Sequence, residues 1–395
     1  MAYSIANLPR IINQQAKIVR RAQKRRIASG AKFLYNSFAM KNERKRFLTK
    51  CALVFLAAAA YFFLSWLPLE TEMRLTPEWT IDINKSPEKT ANETPLPFRL
   101  GKKAGYFTHS GKITAFRSIP YKAVFTRNYC ALYSRDAENI PLMSPDGQER
   151  CVIKGAGFPF IQQDRVFLFP PGGSAVCFVN PVDGNTVSSW ENTAPITAFN
   201  SSKNGSAVGY ADGQLIIFDK NGRKTIELFP GGSDNPIILG ADISASGKMF
   251  ACVSGVDPQR FVLYSDEGVY EKIVFHEFLK KNLTRQTYVH FSDNDKFVYY
   301  DCADSLGIVD TASFKKKRIP LLGTVLDIQE SPVAESAFVL SRIGSNKYAV
   351  TILENWTHKT GEFSFEADAA FILTDGNTLY VGRDEKISRL TISKS

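Results

Sequence analysis

Residues 196–228, ITAFNSSKNGSAVGYADGQLIIFDKNGRKTIEL, decide the fold of this 395-residue chain. Four short runs rich in apolar and aromatic residues are separated there by Lys203-Asn204-Gly205, Ala211-Asp212-Gly213 and Lys220-Asn221-Gly222. Asn-Gly and Asp-Gly are strong hairpin signals, because both central positions of the favoured turn need a positive φ. The stretch therefore predicts a four-stranded antiparallel meander within about forty residues.

The same unit recurs along the C-terminal part of the chain. The turn between its third and fourth strands reappears at Asp146-Gly147, Asp183-Gly184, Asn221-Gly222, Glu267-Gly268, Thr311-Ala312 and Thr360-Gly361. The spacing averages about 43 residues, which is typical of the four-stranded blades of a β-propeller. Six such turns and a last unit of three strands over residues 366–392 predict about seven blades, with six or eight as the alternatives because the N-terminal strands have few turn signals. We expect a strand within residues 104–117 to complete the last blade and close the ring, which removes a free sheet edge.

Several motifs make residues 99–395 similar to the WD40-like family of β-propellers. Strand, Ser, turn and Lys follow one another in Ile243-Ser244-Ala245-Ser246-Gly247-Lys248 and in Phe291-Ser292-Asp293-Asn294-Asp295-Lys296. Runs that are similar to the third strand of this family, which ends in Asp, occur at residues 215–219, 262–266 and 306–310. The Gly-His and Trp-Asp pairs of regular repeats are missing, so the repeats are degenerate. The resemblance implies an all-β propeller and says little about activity.

A run without charges, CALVFLAAAAYFFLSWLPL at residues 51–69, precedes this domain and is bounded by Lys50 and Glu70. About 20 apolar residues of helix cross a bilayer core, so the run predicts a single transmembrane helix. A cleaved secretory signal and a lipoprotein signal fit less well, because the leader is fifty residues long and Lys50 directly precedes Cys51. A buried helix of a soluble domain is the remaining alternative.

The positive charge of the chain lies on one side of this run. Residues 1–50 contain thirteen Lys or Arg and one acid, while the remainder carries 36 basic and 38 acidic residues. Arg44, Lys45, Arg46 and Lys50 flank the run, and the positive-inside rule makes them the residues that determine topology. They predict a cytoplasmic N-terminus, a location in the cytoplasmic membrane and an extracytoplasmic, periplasmic propeller, a layout typical of bacteria.

The segments on either side of the run have simpler compositions. Residues 1–50 form a basic tail with partly helical spacing, which suits the anionic inner leaflet, an acidic protein partner or topology alone. Nucleic acid is not expected, because no aromatic residues are interleaved with the basic ones. Residues 70–98 are rich in Pro, Thr, Glu and Asn and predict a semi-extended stalk. The six cysteines show no CxxC pair. Most of them lie inside apolar runs, so we expect them to be small buried side chains.

The sequence predicts no catalytic, cofactor-binding or metal-binding residue. His276-Glu277 lacks the second His of a zinc-protease motif, and His290 is interpreted as a structural residue in a strand. Asp293-Asn294-Asp295 lacks the glycine and distal Glu of a calcium loop and predicts a turn. The basic cluster of the domain, Lys315, Lys316, Lys317 and Arg318, is a candidate contact for an anionic surface or a solvated hairpin.

These observations favour a non-enzymatic role without a cofactor. The leading hypothesis is a membrane-anchored propeller that serves as a docking or assembly scaffold for other proteins of the cell envelope. The alternative is a propeller enzyme or ligand sensor, similar to quinone-dependent dehydrogenases or to hydrolases, with an unrecognised site in the channel. A third hypothesis makes the basic tail the effector and the propeller its sensor.

Overall fold

The computed structural model describes residues 48–63, 73–88, 93–119, 122–134, 136–266 and 271–394. The chain divides into two compact units, Met1–Thr71 and Glu72–Ser395. In the first unit, residues 48–63 form a helix whose side chains, including that of Lys50, are exposed. Among the described residues no helix is long and apolar enough to cross a membrane. The rest of the predicted span, residues 64–69, lies outside the described part, as do residues 1–47 of the basic tail with Arg44, Lys45 and Arg46.

The second unit is entirely β-structure, as the sequence predicts. Its described residues form eight antiparallel sheets, each a blade of the propeller. In chain order the strands are β1 Met73–Asp82, β2 Leu96–Leu100, β3 Lys103–Phe107, β4 Ile113–Ser118, β5 Lys122–Phe125, β6 Cys130–Tyr133, β7 Asn139–Met143, β8 Glu149–Lys154, β9 Phe158–Gln162, β10 Arg165–Phe169, β11 Ala175–Val179, β12 Thr186–Glu191, β13 Ile196–Ser201, β14 Gly205–Tyr210, β15 Leu215–Asp219, β16 Lys224–Leu228, β17 Ile238–Ile243, β18 Met249–Ser254, β19 Arg260–Ser265, β20 Lys272–Phe278, β21 Val289–Phe291, β22 Phe297–Asp301, β23 Ser305–Asp310, β24 Lys316–Pro320, β25 Thr324–Ser331, β26 Ser336–Ile343, β27 Lys347–Glu354, β28 His358–Glu366, β29 Ala370–Asp375, β30 Thr378–Arg383 and β31 Lys386–Lys394.

The prediction of seven blades is wrong, because the ring has eight. Blade 1 consists of β2, β3 and β4, blades 2 to 7 take four consecutive strands each from β5 onwards, and blade 8 joins β29, β30 and β31 to β1. The predicted turns at residues 146–147, 183–184, 221–222 and 311–312 lie between the third and fourth strands of blades 2, 3, 4 and 6, and the C-terminal unit is blade 8. Glu267-Gly268 lies outside the described residues, and Thr360-Gly361 lies inside β28, so the prediction of a turn there is wrong. Blade 1 escaped detection because it is short and lacks an Asn-Gly or Asp-Gly turn between its strands.

An N-terminal strand closes the ring, but a different one from the strand the sequence predicted. β1 pairs with β31 along its whole length, from Met73 opposite Lys394 to Asp82 opposite Lys386, with a register shift after Pro77. Residues 104–117, the predicted closing strand, fall in β3 and β4 of blade 1. The predicted stalk is corrected as well, since β1 and part of β2 belong to the propeller. Pro77 suggested a linker, yet proline is tolerated on an edge strand at a bulge.

The two faces of the ring differ in the loops they carry. In an antiparallel blade, the turn from first to second strand and the turn from third to fourth strand lie at the same end. We call this end the turn face. The opposite end, the connection face, carries the links between consecutive blades and the turns from second to third strand.

Blade 1 departs from this scheme because it has three strands. Only three residues separate β4 from β5, the first strand of blade 2. A three-stranded meander begins and ends at opposite faces, whereas a four-stranded one begins and ends at the same face. β2 therefore runs in the opposite direction to the first strands of the other blades.

Apolar side chains fill the space between neighbouring blades. Because successive side chains of a strand point to opposite faces of its sheet, each blade packs against the blades on both sides. β14 and β17 are consequently buried at every position. All six cysteines are free, and Cys130, Cys151, Cys252 and Cys302 are buried in these layers.

Candidate functional site

A concave feature that combines charged and polar side chains lies at the centre of the ring. A cavity of about 900 Å³ opens there, lined mainly by first strands and by residues next to them. Its polar lining includes Gln162, Asn200, His290, Asp327, Glu330 and Asp375. These residues come from blades 3, 4, 6, 7 and 8, so the ring closure assembles a site that no single blade contains.

His290 and Asp242 form an ion pair in the channel wall. His290 of β21 places Nδ1 3.4 Å from Oδ2 of Asp242, which belongs to β17 of the preceding blade. Asp242 is buried, and its two carboxylate oxygens accept the backbone N–H groups of Ile243 and Phe291 at 2.8 and 2.7 Å. These bonds fix the carboxylate, which in turn orients the imidazole. The side chain of His290 keeps 23% of its surface exposed.

The charges around this pair alter its titration. Burial raises the pKa of Asp242, although the hydrogen bond and charge of His290 act against that effect. Burial also acts to lower the pKa of His290, but the hydrogen bond and charge of Asp242, with the charges of Glu330 and Asp327, raise it overall. The three carboxylates therefore favour the protonated form of the imidazole.

Blade 7 supplies the other two carboxylates from β25. Burial raises the pKa of Asp327, and Asp327 accepts a hydrogen bond from Nε2 of Gln329 at 3.0 Å. Burial, followed by the charge of Asp293, raises the pKa of Glu330 to about 7. Oε2 of Glu330 accepts the backbone N–H of Asp293 at 3.2 Å. Near neutral pH this carboxyl group exchanges a proton readily, which is the property of a general acid or of a pH-sensitive contact.

The remaining lining shows what the cavity is suited to bind. Amide side chains of Gln162 and Asn200 and the rings of Phe160 and Phe199 face it together with the carboxylates. Among the described residues, no group of three or more His, Cys, Asp or Glu side chains is placed to hold a metal ion. The carboxylate and amide side chains of the cavity can form hydrogen bonds with a small molecule that carries hydroxyl groups or a positive charge.

At the turn face an ion pair borders the cavity. Arg127, between β5 and β6, places Nη1 2.9 Å from Oδ1 of Asp375 and donates through Nη2 to the carbonyl of Thr374 at 3.0 Å. Both Arg127 and Asp375 line the cavity. The pair links blade 2 to blade 8 and neutralises one of the channel carboxylates.

The predicted basic cluster lies in and before β24, the outer strand of blade 6. Lys316 and Arg318 bind the buried carboxylate of Glu277 on the neighbouring blade, at 2.5 and 2.7 Å. Tyr300 also donates its hydroxyl to Glu277. Lys315 and Lys317 are exposed, and no ion pair of theirs occurs among the described residues. The cluster thus divides into two cations that pair with Glu277, of which Lys316 remains half exposed, and two directed to solvent.

The sequence prediction found His290 but did not identify its carboxylate partners. It interpreted His290 as a structural residue. His290 does make a structural contact, with Asp242, and it also lines the cavity. Asp242, Asp327 and Glu330 were not selected because they lie in separate strands without a common spacing. Asp293-Asn294-Asp295 does form the predicted turn, with the N–H of Asp295 donating to the carbonyl of Ser292 at 2.9 Å.

Solved structures with similar architecture support the propeller assignment. BamB from Moraxella catarrhalis aligns with a TM-score of 0.53 and 12% identity, covering 80% of this chain and 100% of that one. The computationally designed Ika8 protein aligns with a TM-score of 0.51 and 10% identity, covering 76% of this chain and 96% of its own. At such low identity these similarities describe the fold alone.

Comparison of the sequence with known proteins identifies the family. An uncharacterized protein of Treponema pallidum (strain Nichols) is 30% identical over 364 residues, which cover 89% of this chain and 95% of that relative. A family described as beta-propeller protein matches residues 39–395. The chain belongs to this beta-propeller protein family.

Proposed function

We propose that this protein is a non-enzymatic docking scaffold for other proteins of the cell envelope. The observation that carries the proposal is the set of large apolar side chains exposed on the connection face of blades 3 to 7. They are Phe158 at 42% exposure, Phe229 at 60%, Phe278 at 52% and Leu322 at 53%. The turn face also exposes Val182, Phe314 and Val333, but the connection face carries more of the large aromatic and leucine side chains, and exposed apolar patches mark protein-binding surfaces.

The closed ring supports this role. Pairing of β1 with β31 joins the two ends of the domain, so the connection face is held on a continuous ring of sheets. A rigid surface loses little conformational entropy when a partner binds. Degenerate WD40-like repeats, as the sequence predicts, vary the loops on such a ring without changing its core.

A membrane anchor is part of the proposal. The apolar residues 51–69 would hold the propeller at the membrane, with Arg44, Lys45, Arg46 and Lys50 on the cytoplasmic side. Such a tether raises the local concentration of the domain near membrane partners. The predicted location is the cytoplasmic membrane, with the propeller outside the cytoplasm.

Site-specific photo-crosslinking tests the docking surface. A photoreactive amino acid at Phe229 or Leu322 should crosslink defined envelope proteins in living cells, whereas the same probe at Val182 on the turn face, which is 79% exposed, should not give the same products. Substituting Phe229 and Leu322 with Glu should remove the crosslinks. Identical products from both faces, or none from the connection face, would contradict the proposal.

Protease protection tests the topology. Added protease should digest the propeller in spheroplasts but not in intact cells if the domain lies outside the cytoplasm. Replacing Arg44, Lys45 and Arg46 with Glu should protect the propeller in spheroplasts by inverting the span. Digestion that is the same for both proteins would contradict the role assigned to these residues.

A second candidate function is favoured by the channel. The convergence of His290, Asp327 and Glu330 on a cavity of about 900 Å³ suits a sensor for a small cationic or hydroxylated ligand. Calcium, a quinone and a panel of polyamines and sugars can be screened by thermal shift against the wild type and Asp327→Asn. Stabilisation lost in the variant would favour the sensor, and equal shifts in both proteins would count against a channel site.

A further inference from the structure

The outer strand of blade 5 has a composition unusual for an exposed sheet edge. β20 leaves Ile273 41% exposed and Phe278 52% exposed. Among the described outer strands, β12 is the other one with a large exposed apolar side chain, Val187. Sheet edges are normally protected by charges, prolines or bulges, because a free edge pairs readily with another strand. β20 has one bulge, between Ile273 and Phe275, and residues 275–278 after it pair regularly with β19.

The register of β20 sorts its side chains into two rows. Ile273, His276 and Phe278 lie opposite Tyr264, Val262 and Arg260 of β19. Val262 and Tyr264 pack in the core cluster shared with Leu215 and Ile217 of blade 4. Because directly paired residues share a face of the sheet, the exposed apolar row of β20 points towards blade 4.

The other row of β20 is bordered by positive charge. Phe275 and Glu277 lie opposite Leu263 and Phe261, whose cluster includes Val298 and Tyr300 of blade 6. Glu277 binds both Lys316 and Arg318, so two cations meet one carboxylate. The side chain of Lys316 remains 49% exposed. The groove between β20 and β24 therefore keeps a surplus of positive charge on its blade 6 side.

The backbone of β20 has hydrogen-bonding groups directed outward. The N–H of Leu279 donates to the carbonyl of Gln259 at 2.8 Å, which fixes the alternation of bonds between β19 and β20. Residues 277 and 279 thus point their backbone groups towards β19, and His276 and Phe278 point theirs away from it. Within the described part of the chain, no backbone bond to His276 or Phe278 is formed on that outer side.

We propose that β20 binds an extended polypeptide segment of a partner protein as a fifth strand of blade 5, with acidic and apolar residues alternating along that segment. The apolar residues of the segment would cover Ile273 and Phe278, and its acidic residues would face Lys316 and Arg318. This inference rests on the proposed scaffold function and specifies one class of partner. An anionic lipid surface would satisfy the charges but not the backbone groups of His276 and Phe278, so a polypeptide is favoured.

Model peptides test the inference on the full-length protein in zwitterionic nanodiscs. The probe is an eight-residue, end-capped peptide of alternating Glu and Val, labelled for fluorescence anisotropy. It should bind, whereas alternating Lys and Val should not. A Glu-Val peptide with alternate amide nitrogens methylated, which removes the donors on one edge, should bind at least about tenfold more weakly. Hydrogen exchange should show protection of residues 272–278 by the unmodified peptide.

Substitutions at exposed positions provide the matched comparison. The double variant Ile273→Lys, Phe278→Lys should weaken binding of the Glu-Val peptide by about tenfold or more, while Val187→Lys on β12 leaves it unchanged. No binding of the Glu-Val peptide, equal binding of the methylated peptide, or equal loss in both variants would overturn the inference. Protection of residues 272–278 by phosphatidylglycerol vesicles but not by the peptide would also overturn it, in favour of a lipid surface.

The two proposals fail in different ways. If crosslinks from Phe229 and Leu322 persist while the peptide does not bind β20, the scaffold function stands and the strand-docking inference falls. If the peptide binds β20 but no crosslinks form in cells, the scaffold proposal loses its support on the connection face, although the edge itself still accepts a strand.

Discussion

Arg127 of blade 2 contacts Asp375 of blade 8, with Nη1 2.9 Å from Oδ1, although blade 1 lies between these two blades in the ring. The contact occurs where the three-stranded blade 1 reverses the direction of its first strand. At the turn face, blades 2 and 8 are thus joined directly at the rim of the channel. The pair is half exposed, with 43% and 40% of the two side chains accessible.

Replacing Arg127 with Ala should lower the free energy of unfolding by about 1 kcal/mol, because an exposed ion pair is weak and a backbone hydrogen bond to Thr374 is lost with it. Urea denaturation measures the change. Lys112→Ala breaks a longer exposed pair, with Glu88 at 3.9 Å, and should have almost no effect. Equal losses in the two variants would show that Arg127 has no special role at blade 1.

Arg165 of β10 forms a larger contact between blades 3 and 4. Its Nη1 lies 2.9 Å from the Oγ atoms of both Ser201 and Ser206, and 3.0 and 2.6 Å from the carbonyls of Ser202 and Gly205, so its two hydrogens are shared among these four acceptors. The guanidinium lies 5.2 Å from the ring centroid of Phe167. Burial lowers the pKa of Arg165 to about 10, so the charge remains at neutral pH.

Arg165→Ala should therefore lower the free energy of unfolding by about 3 kcal/mol, since several buried carbonyl and hydroxyl groups lose their donor. Arg165→Lys should recover part of this loss, because an ammonium keeps the charge but not the planar set of donors. Arg223→Ala, at an exposed turn of blade 4, is the control and should change stability little. A loss for Arg165→Ala no larger than for Arg223→Ala would contradict the bridging role.

Local signals in the sequence predicted the parts of the fold that depend on local turns. The four strands of residues 196–228 occur as predicted because Asn-Gly and Asp-Gly turns determine hairpins without help from distant residues. Blade 1 and β1 were missed because their position depends on the whole ring. Pro77 and the exposed side chains of β1 resemble a linker until β31, more than 300 residues later, supplies the pairing partner.

The candidate site was less predictable for the same reason. Asp242, His290 and Glu330 belong to three consecutive blades and meet only because first strands converge on one channel. Lys316 and Arg318 looked like exposed cations, since nothing near them in sequence revealed Glu277 as their partner. Contacts between blades are long-range, and local composition contains no information on them.

Ring closure gives a prediction about residues near both ends of the domain. The Oγ atoms of Thr80 and Ser388 lie 2.9 Å apart across β1 and β31. In a Cys51→Ser background, which removes the exposed native thiol, Thr80→Cys with Ser388→Cys should form a disulfide under mild oxidation. The crosslinked protein should unfold at higher urea concentration than its reduced form, because the bond constrains the unfolded chain.

Thr76→Cys with Ser388→Cys is the matched control, since Thr76 pairs with Thr391 instead and four residues of strand span about 13 Å. It should not crosslink. Mass spectrometry of the linked peptides identifies the products. Efficient crosslinking of the control pair, or none in the Thr80 and Ser388 pair, would show that β1 does not close blade 8 in this register.

The channel cluster predicts how stability depends on pH. The pKa of Glu330 is raised from 4.5 to about 7 in the folded protein by burial and by Asp293, so folding favours its protonated form. The resulting stabilisation is complete below pH 4.5 and is lost as the pH rises through about 7. The raised pKa of His290 acts in the same direction, since its stabilisation is complete below its ordinary value of 6.5. The protein should be more stable at pH 5 than at pH 8.

Glu330→Gln keeps the size of the side chain and removes its charge. The variant should therefore show a smaller decrease in unfolding free energy between pH 4.5 and pH 8, and at pH 8 it should exceed the wild type by at most about 3 kcal/mol. Glu138→Gln, an exposed control without an ion pair among the described residues, should follow the wild-type curve. Urea denaturation across the pH series measures all three proteins. A slope in Glu330→Gln equal to that of the wild type would show that Glu330 is ionised freely in the folded state, and the pH dependence would then have to come from His290 and Asp242.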